Sequence, residues 1–141
     1  MEVLMDYVNQ LNWVAALAGA VAAFAVGAVW YSQAVFGKQW MKGAGLSKKD
    51  IENPDVVKTL GGGALMTIVS AVALAVLFDV LALDSAVSGA LLGVLVAVGF
   101  IVSNKVMHAL FESKSTDYIL ITALGDVVAL GVMGAVIGLL R

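Results

Sequence analysis

Charges are absent from three long stretches of this chain and nearly absent from a fourth. None falls between Asp6 and Lys38, between Lys58 and Asp79, or between Asp84 and Lys105, and Asp126 stands alone between Asp117 and Arg141. A helix needs about 20 apolar residues to cross a hydrocarbon layer of roughly 30 Å. Four runs of that length predict four membrane-spanning helices, at about 11–33, 59–81, 85–111 and 117–140. The expected fold is an all-α membrane protein. It is a bundle of four transmembrane helices in two antiparallel hairpins, making one integral membrane domain over residues 1–141. A single proline in the whole chain suits helices without breaks.

The polar stretches between the runs carry helix-boundary signals. Residues 34–58 form the longest of them, and here Phe36, Trp40 and Met41 are interleaved with Lys38 and Lys42. Two readings fit that pattern. In one, a short amphipathic segment lies at the membrane surface with its rings in lipid and its lysines toward the headgroups. In the other, the segment packs on the end of the bundle. Ser47 with Asp50 resembles a capping box, and Asn53-Pro54-Asp55 reads as a second helix start. Asp84 or Ser85 is placed to cap the third span, and Ser115 or Thr116 the fourth, with Asp117 favourable at its N-terminus. Tyr7, Trp13, Trp30 and Tyr31 flank the first span, where aromatic rings settle at headgroup depth.

Composition sharpens this picture. Hydrophobic residues make up 62% and charged residues 13%, against about half and a quarter in soluble domains. Mean hydropathy is +1.01. The net charge of −2 is small and argues nothing about nucleic acid, which is not an expected partner. The absence of cysteine excludes disulfides and thiolate metal sites. Glu2 and Asp6, with no nearby Lys or Arg, make a poor signal peptide, so the first span is expected to be retained. Lys38, Lys42, Lys48, Lys49 and Lys58 fall between spans one and two, and Lys105 and Lys114 near the turn between three and four; only Arg141 falls on the other side. That asymmetry predicts a chain with both termini outside and the 34–58 and 112–117 connections in the cytoplasm.

Inside lipid, helices associate through close backbone approach over small residues. Gly19, Ala23 and Gly27 on the first span, Gly89, Gly93 and Ala97 on the third, and Gly134 and Gly138 on the fourth recur every four residues and are the candidate packing positions. Gly61–Gly63 reads either as a flexible lead-in to the second span or as a close contact.

The candidate chemistry lies in the second hairpin. Residues four apart share a helix face, so Asn104, His108 and Glu112 form one stripe with Lys105 on its flank, and Thr122 and Asp126 form a matching stripe. Antiparallel pairing about the turn near Ser115 makes Asn104, Lys105, His108, Thr122 and Asp126 a polar ladder open toward the cytoplasm. A charge at the depth of Asp126 costs about 3 kcal/mol. Pairing with Lys105 offsets much of that; alternatively Lys105 snorkels to the surface and Asp126 stays protonated. The ladder reads either as a structural ion pair fixing the hairpin register or as a proton or ion relay with His108 at its mouth.

The residues Asn12–Trp13, "GAVWYS" at Gly27–Ser32, "FGKQWM" at Phe36–Met41, Gly99–Phe100, "LFESKS" at Leu110–Ser115 and "GVMGAVIG" at Gly131–Gly138 together resemble a prokaryotic membrane family. It is the one catalogued as domain of unknown function number 1761. The resemblance covers nearly the whole chain and implies four membrane helices with no assigned activity. In that family Arg usually stands where this chain has Lys114, and often an aromatic where it has Asp126, so the resemblance does not extend a family-wide role to the Lys105–Asp126 pair.

With one His, no Cys and no GxSxG, HExxH, Walker or Rossmann pattern, the chain is not expected to be an enzyme, and no cofactor or metal is expected. The expected partners are the lipid bilayer and further copies of the chain. The expected role is a homo-oligomeric path for a small solute, ion or proton along the ladder, the alternative being a non-catalytic structural or accessory subunit of a membrane complex.

Overall fold

The computed structural model describes residues 1–47, 49, 50, 55 and 57–141. Its helices are α1 (Glu2–Asn9), α2 (Trp13–Trp30), α3 (Gly37–Ala44), α4 (Val57–Val80), α5 (Ala86–Phe111) and α6 (Thr116–Leu139). Among the described residues there is no strand. Four helices, α2, α4, α5 and α6, are long and apolar enough to cross a membrane. The protein is an all-α membrane protein built on these four. The short α1, for which the hydropathy pattern predicts no element, sits beside α4. Lys48, Asn53 and Pro54, with the helix start expected at Asn53-Pro54, lie outside the described residues.

Side chains with oxygen acceptors cap the N-termini of four of the six helices. Asn12 caps α2 by accepting from the Ala15 N–H at 3.0 Å, while its own amide donates to the Leu140 carbonyl at 3.1 Å. Asp55 accepts from the Lys58 N–H at the start of α4. Ser85, not Asp84, caps α5, in a reciprocal box with Ser88. Ser115 caps α6 by accepting from the Tyr118 N–H. The Ser47 N–H and hydroxyl both donate to Asp50, at 2.7 and 2.9 Å, and hold its carboxyl below the usual carboxylate range.

Helices α4 and α5 end in the same way. After each, the next-but-one N–H reaches back to the last turn, Leu83 to the Phe78 carbonyl and Lys114 to the Ala109 carbonyl. This closure requires a left-handed residue, supplied by Ala82 at φ 52° and Ser113 at φ 56° where glycine is usual. Each Cβ in that conformation costs about 1–2 kcal/mol, which the satisfied carbonyls and the tight turns offset.

Helix α6 is the centre of the bundle. It packs on α5 along one side and on α2 along the other, while α4 packs mainly on α2. The α5–α6 seam has glycine on both sides. A methyl group on Gly89 would fall on the Gly134 carbonyl, one on Gly93 on the Leu130 carbonyl, one on Gly134 on the Gly89 carbonyl and one on Gly138 on the Ser85 carbonyl. The two backbones therefore touch, antiparallel. On the α2 side Gly19 lies against Met133 and Ile137, a methyl there meeting the Ile137 side chain at 3.0 Å. Phe78, Met133 and Ile137 are fully buried between these helices, with Ala16, Ala20, Ala71 and Leu74 around them. Gly27 differs from the other expected packing positions: nothing lies within 4 Å of where its Cβ would be. By that depth α2 touches α6 through Trp30 instead. Gly61 and Gly62 are equally unobstructed, and Gly63 meets only the Phe24 ring at 3.8 Å, so this run is not a close backbone contact.

The 34–47 stretch folds onto the bundle end. The Gly37 N–H donates to the Ser32 carbonyl at 2.8 Å, and a Cβ on Gly37 would stand 2.6 Å from the Tyr31 carbonyl, so only glycine permits the fold-back. Phe36 then tilts against Trp30 with centroids 4.8 Å apart, and Trp40 sets its edge to Tyr31 at 5.1 Å. Met41 is half-buried, accepting at its sulfur from the Gln33 amide, while Lys38 and Lys42 are exposed. This amphipathic helix thus spends its rings on the protein and turns its lysines outward.

Gly89→Ala is expected to lower stability by about 2–3 kcal/mol, because the methyl must push two backbones apart. Gly27→Ala is expected to leave stability unchanged or raise it by about 0.5–1 kcal/mol. Thermal unfolding of the detergent-solubilised variants separates the two; equal effects would contradict the seam.

Candidate functional site

Asp126 lies about ten residues into α6, or roughly 15 Å along the helix from its N-terminus. Its carboxylate is paired with the Lys105 ammonium of α5. Neither group is sealed off: the side chains are 37% and 24% exposed. Lys105 borders a groove of about 480 Å³ whose walls also include Phe100, Asn104, His108, Glu112 and Tyr118. Pairing removes much of the cost of placing an isolated carboxylate at this depth, which is about 3 kcal/mol on insertion scales.

Helical spacing alone places Asn104 and His108 toward α6 with Lys105 at their flank. The structure has them differently. Lys105 and Ala109 face α6, Ala109 being 4% exposed, whereas Asn104 and His108 are exposed on the groove wall. The cause is a break in helical period. From Ala97 to Val102, α5 is a wide turn with π-type bonding, i→i+5 in place of i→i+4. One extra residue is absorbed there, and every residue beyond it is rotated by about 100° relative to an uninterrupted helix. The Ser103 hydroxyl, just past the wide turn, donates to the Gly99 carbonyl at 2.7 Å. No periodicity argument detects such a turn, because apolar residues continue straight through it.

Thr122 is buried but makes no bond to the pair. Its hydroxyl donates to the Tyr118 carbonyl one turn back on its own helix, at 2.9 Å. Hence, of the residues expected to form the ladder, the structure joins Lys105 and Asp126, buries Thr122 beside them on α6 and leaves Asn104 and His108 on the open wall.

Two elements that spacing did not indicate complete the surroundings. The Trp30 indole N–H donates to the Ile121 carbonyl of α6 at 2.9 Å, and Gly125 makes room for it, since a Cβ there would stand 2.9 Å from the indole nitrogen. The Tyr31 hydroxyl reaches the same spot, 3.3 Å from that Cβ position and one residue from Asp126. Both aromatics read from sequence as headgroup-level rings; in the fold Trp30 is a hydrogen-bonded strut between α2 and α6. A glycine one turn after a carbonyl, facing a tryptophan-bearing helix, is the signal that spacing offers only once the pairing is known. At the far end, Arg141 pairs with Asp79 and lies over the Phe78 ring at 5.2 Å. That pair ties the end of α6 to the end of α4.

Lys105→Met and Asp126→Asn are each expected to lower thermal stability by about 1–2 kcal/mol, less than for a fully buried pair because both groups are partly exposed. The double variant Lys105→Met/Asp126→Asn is expected to lose clearly less than the sum of the two single losses. A double-mutant cycle in one detergent measures the coupling, and additive losses would mean that the pair contributes nothing.

A family model described as "Protein of unknown function (DUF1761)" matches residues 14–138. No curated protein and no solved structure matches the chain. The matched stretch takes in all four membrane-length helices but for Trp13 at the start of α2 and Leu139 at the end of α6, and the chain belongs to the DUF1761 family.

Proposed function

We propose that the protein is a non-catalytic, homo-oligomeric membrane protein that provides a path for protons or small cations along the groove beside Lys105 and Asp126. The observation that carries this reading is the exposure of that ion pair. Charges at mid-membrane depth that are 37% and 24% exposed are unfavourable against acyl chains. Water in the groove, or the polar face of a second copy, relieves that cost, and both accord with a path. The groove wall supplies further exchangeable groups in His108, Glu112 and Tyr118. One four-helix unit closed by a glycine seam leaves no wide central channel, which favours a route at the boundary between copies.

In this reading the chain sits in a prokaryotic cytoplasmic membrane with both termini outside. The α2–α4 and α5–α6 connections are cytoplasmic, as the lysine asymmetry favours. A second reading, an accessory subunit, draws on a different feature. An apolar groove of about 510 Å³ between α2 and α4, lined by Leu17, Val21, Phe24, Ala64 and Ile68, fits a helix of a partner protein.

Proton and K⁺ flux into liposomes containing the purified protein is the direct test. Wild type is expected to exceed protein-free vesicles, and Asp126→Asn to reduce the flux at least tenfold. Flux equal in the two proteins, or no greater than in empty vesicles, removes the path reading; a constant partner copurifying from native membranes would then favour the accessory role.

A further inference from the structure

We propose that the wide turn at Ala97–Val102 gives α5 two registers, and that the polar residues left on the groove wall are those that face Asp126 in the second one. Taking Gly93 on the seam as the origin, an uninterrupted helix at about 100° per residue puts Lys105 about 120° away, pointing off the seam, and Asn104 about 20° away, pointing along it. Ala109 would stand about 160° away and His108 about 60° away. With one residue absorbed in the wide turn, Lys105 and Ala109 take the positions that Asn104 and His108 would otherwise hold. The structure shows this register: Lys105 is on Asp126, Ala109 is buried, and Asn104 and His108 are exposed.

Closing the wide turn to ordinary α-helical bonding rotates Ser103–Phe111 back by one position. Asn104 then replaces Lys105 opposite Asp126, His108 replaces Ala109, and Lys105 swings outward. A fixed ion pair is exchanged for a carboxylate facing a neutral amide and an imidazole. Three features of the structure allow the exchange. The wide turn carries Gly99, where nothing lies within 4 Å of an added Cβ, so the rotating backbone meets no neighbour there. The groove of about 480 Å³ next to Ala109 gives room for the His108 ring. Upstream, Gly89 and Gly93 are locked backbone-to-backbone on α6, which confines the rotation to the far half of the helix. The titratable groups around the exchange are Lys105, His108 and Glu112 from α5, Tyr118 from α6 and Tyr31 from the end of α2. In the first register Asp126 is neutralised by its own chain; in the second it is free to take a proton or a small cation from the groove. The functional meaning of the switch rests on the path reading above, whereas its existence does not.

The chain has no cysteine, so spin labels can be placed at will. Met107→Cys on α5 and Leu124→Cys on α6, both exposed, form a reporter pair read by pulsed electron-spin distance measurement in lipid nanodiscs. With Asp126 intact one main distance is expected. Asp126→Asn, which removes the charge holding Lys105 in place, is expected to add a second population displaced by up to about 8–9 Å, the chord of a 100° turn at the helix surface. Deletion of Gly99 removes the absorbed residue, so the helix becomes regular with Lys105 still facing Asp126; a single distance is then expected in both backgrounds. A single unchanged distance after Asp126→Asn overturns the proposal, and this measurement does not depend on how well the deletion variant folds. Loss of flux in Asp126→Asn without any change of distance overturns the register switch and leaves the path reading intact. A second distance with unaltered flux supports the switch and removes the path.

Discussion

The contact of two backbones along the α5–α6 seam is the constraint on which the rest of the fold depends. In lipid there is no water to expel from between helices, so association relies on close packing, and only glycine lets one helix carbonyl rest on the next helix. Gly89, Gly93, Gly134 and Gly138 supply that approach within a few turns. The seam makes α6 the central helix, because its opposite face remains free for Gly19 and the alanines of α2. It also fixes the rotation of α5 about its own axis in the half of the bundle that holds Phe78 and Arg141.

That rotation conflicts with the position of Lys105. A regular helix cannot present both Gly93 and Lys105 to α6, since they lie about 120° apart. The wide turn resolves the conflict by absorbing one residue, and the ion pair with Asp126 is the result. Such turns occur as isolated interruptions in α-helices, frequently at functional sites. Here the interruption lies directly between the rigid glycine contact and the charged pair.

The two ends of the bundle are consequently different in kind. At one end Asn12 donates to the Leu140 carbonyl, Arg141 pairs with Asp79, and the core side chains are fully buried. At the other, α3 folds its rings onto Trp30 and Tyr31, the indole of Trp30 braces α2 against Ile121, and the α5 stretch beyond the wide turn borders an open groove. One end is tied by charge and cap, the other by aromatic packing around a site with space beside it. An arrangement of this kind suits a helix that is held at one end and adjustable at the other.

Long runs with almost no charge match the length of membrane helices, so the four spans and the all-α class were legible from the sequence; the caps were legible as Asp84 or Ser85 and as Ser115 or Thr116, because capping depends on local chemistry. The glycine positions were legible as candidates but not as contacts. Gly89 and Gly27 have equivalent spacing, yet only Gly89 meets a backbone, because contact is decided by which helix lies opposite. Likewise Trp30 reads as a headgroup-level ring until α6 brings the Ile121 carbonyl to its indole nitrogen. The face that Asn104, Lys105 and His108 present was beyond any reading of period, since a hydrophobic pattern reports which residues are apolar and not how many of them a single turn contains. Hydropathy, which sums over residues, marked the chain as a membrane protein, and opposite charge at equal depth pointed to Lys105 and Asp126; the tertiary structure alone decided that this pair forms while Asn104 and His108 turn away, because that depends on one residue absorbed in one turn of one helix.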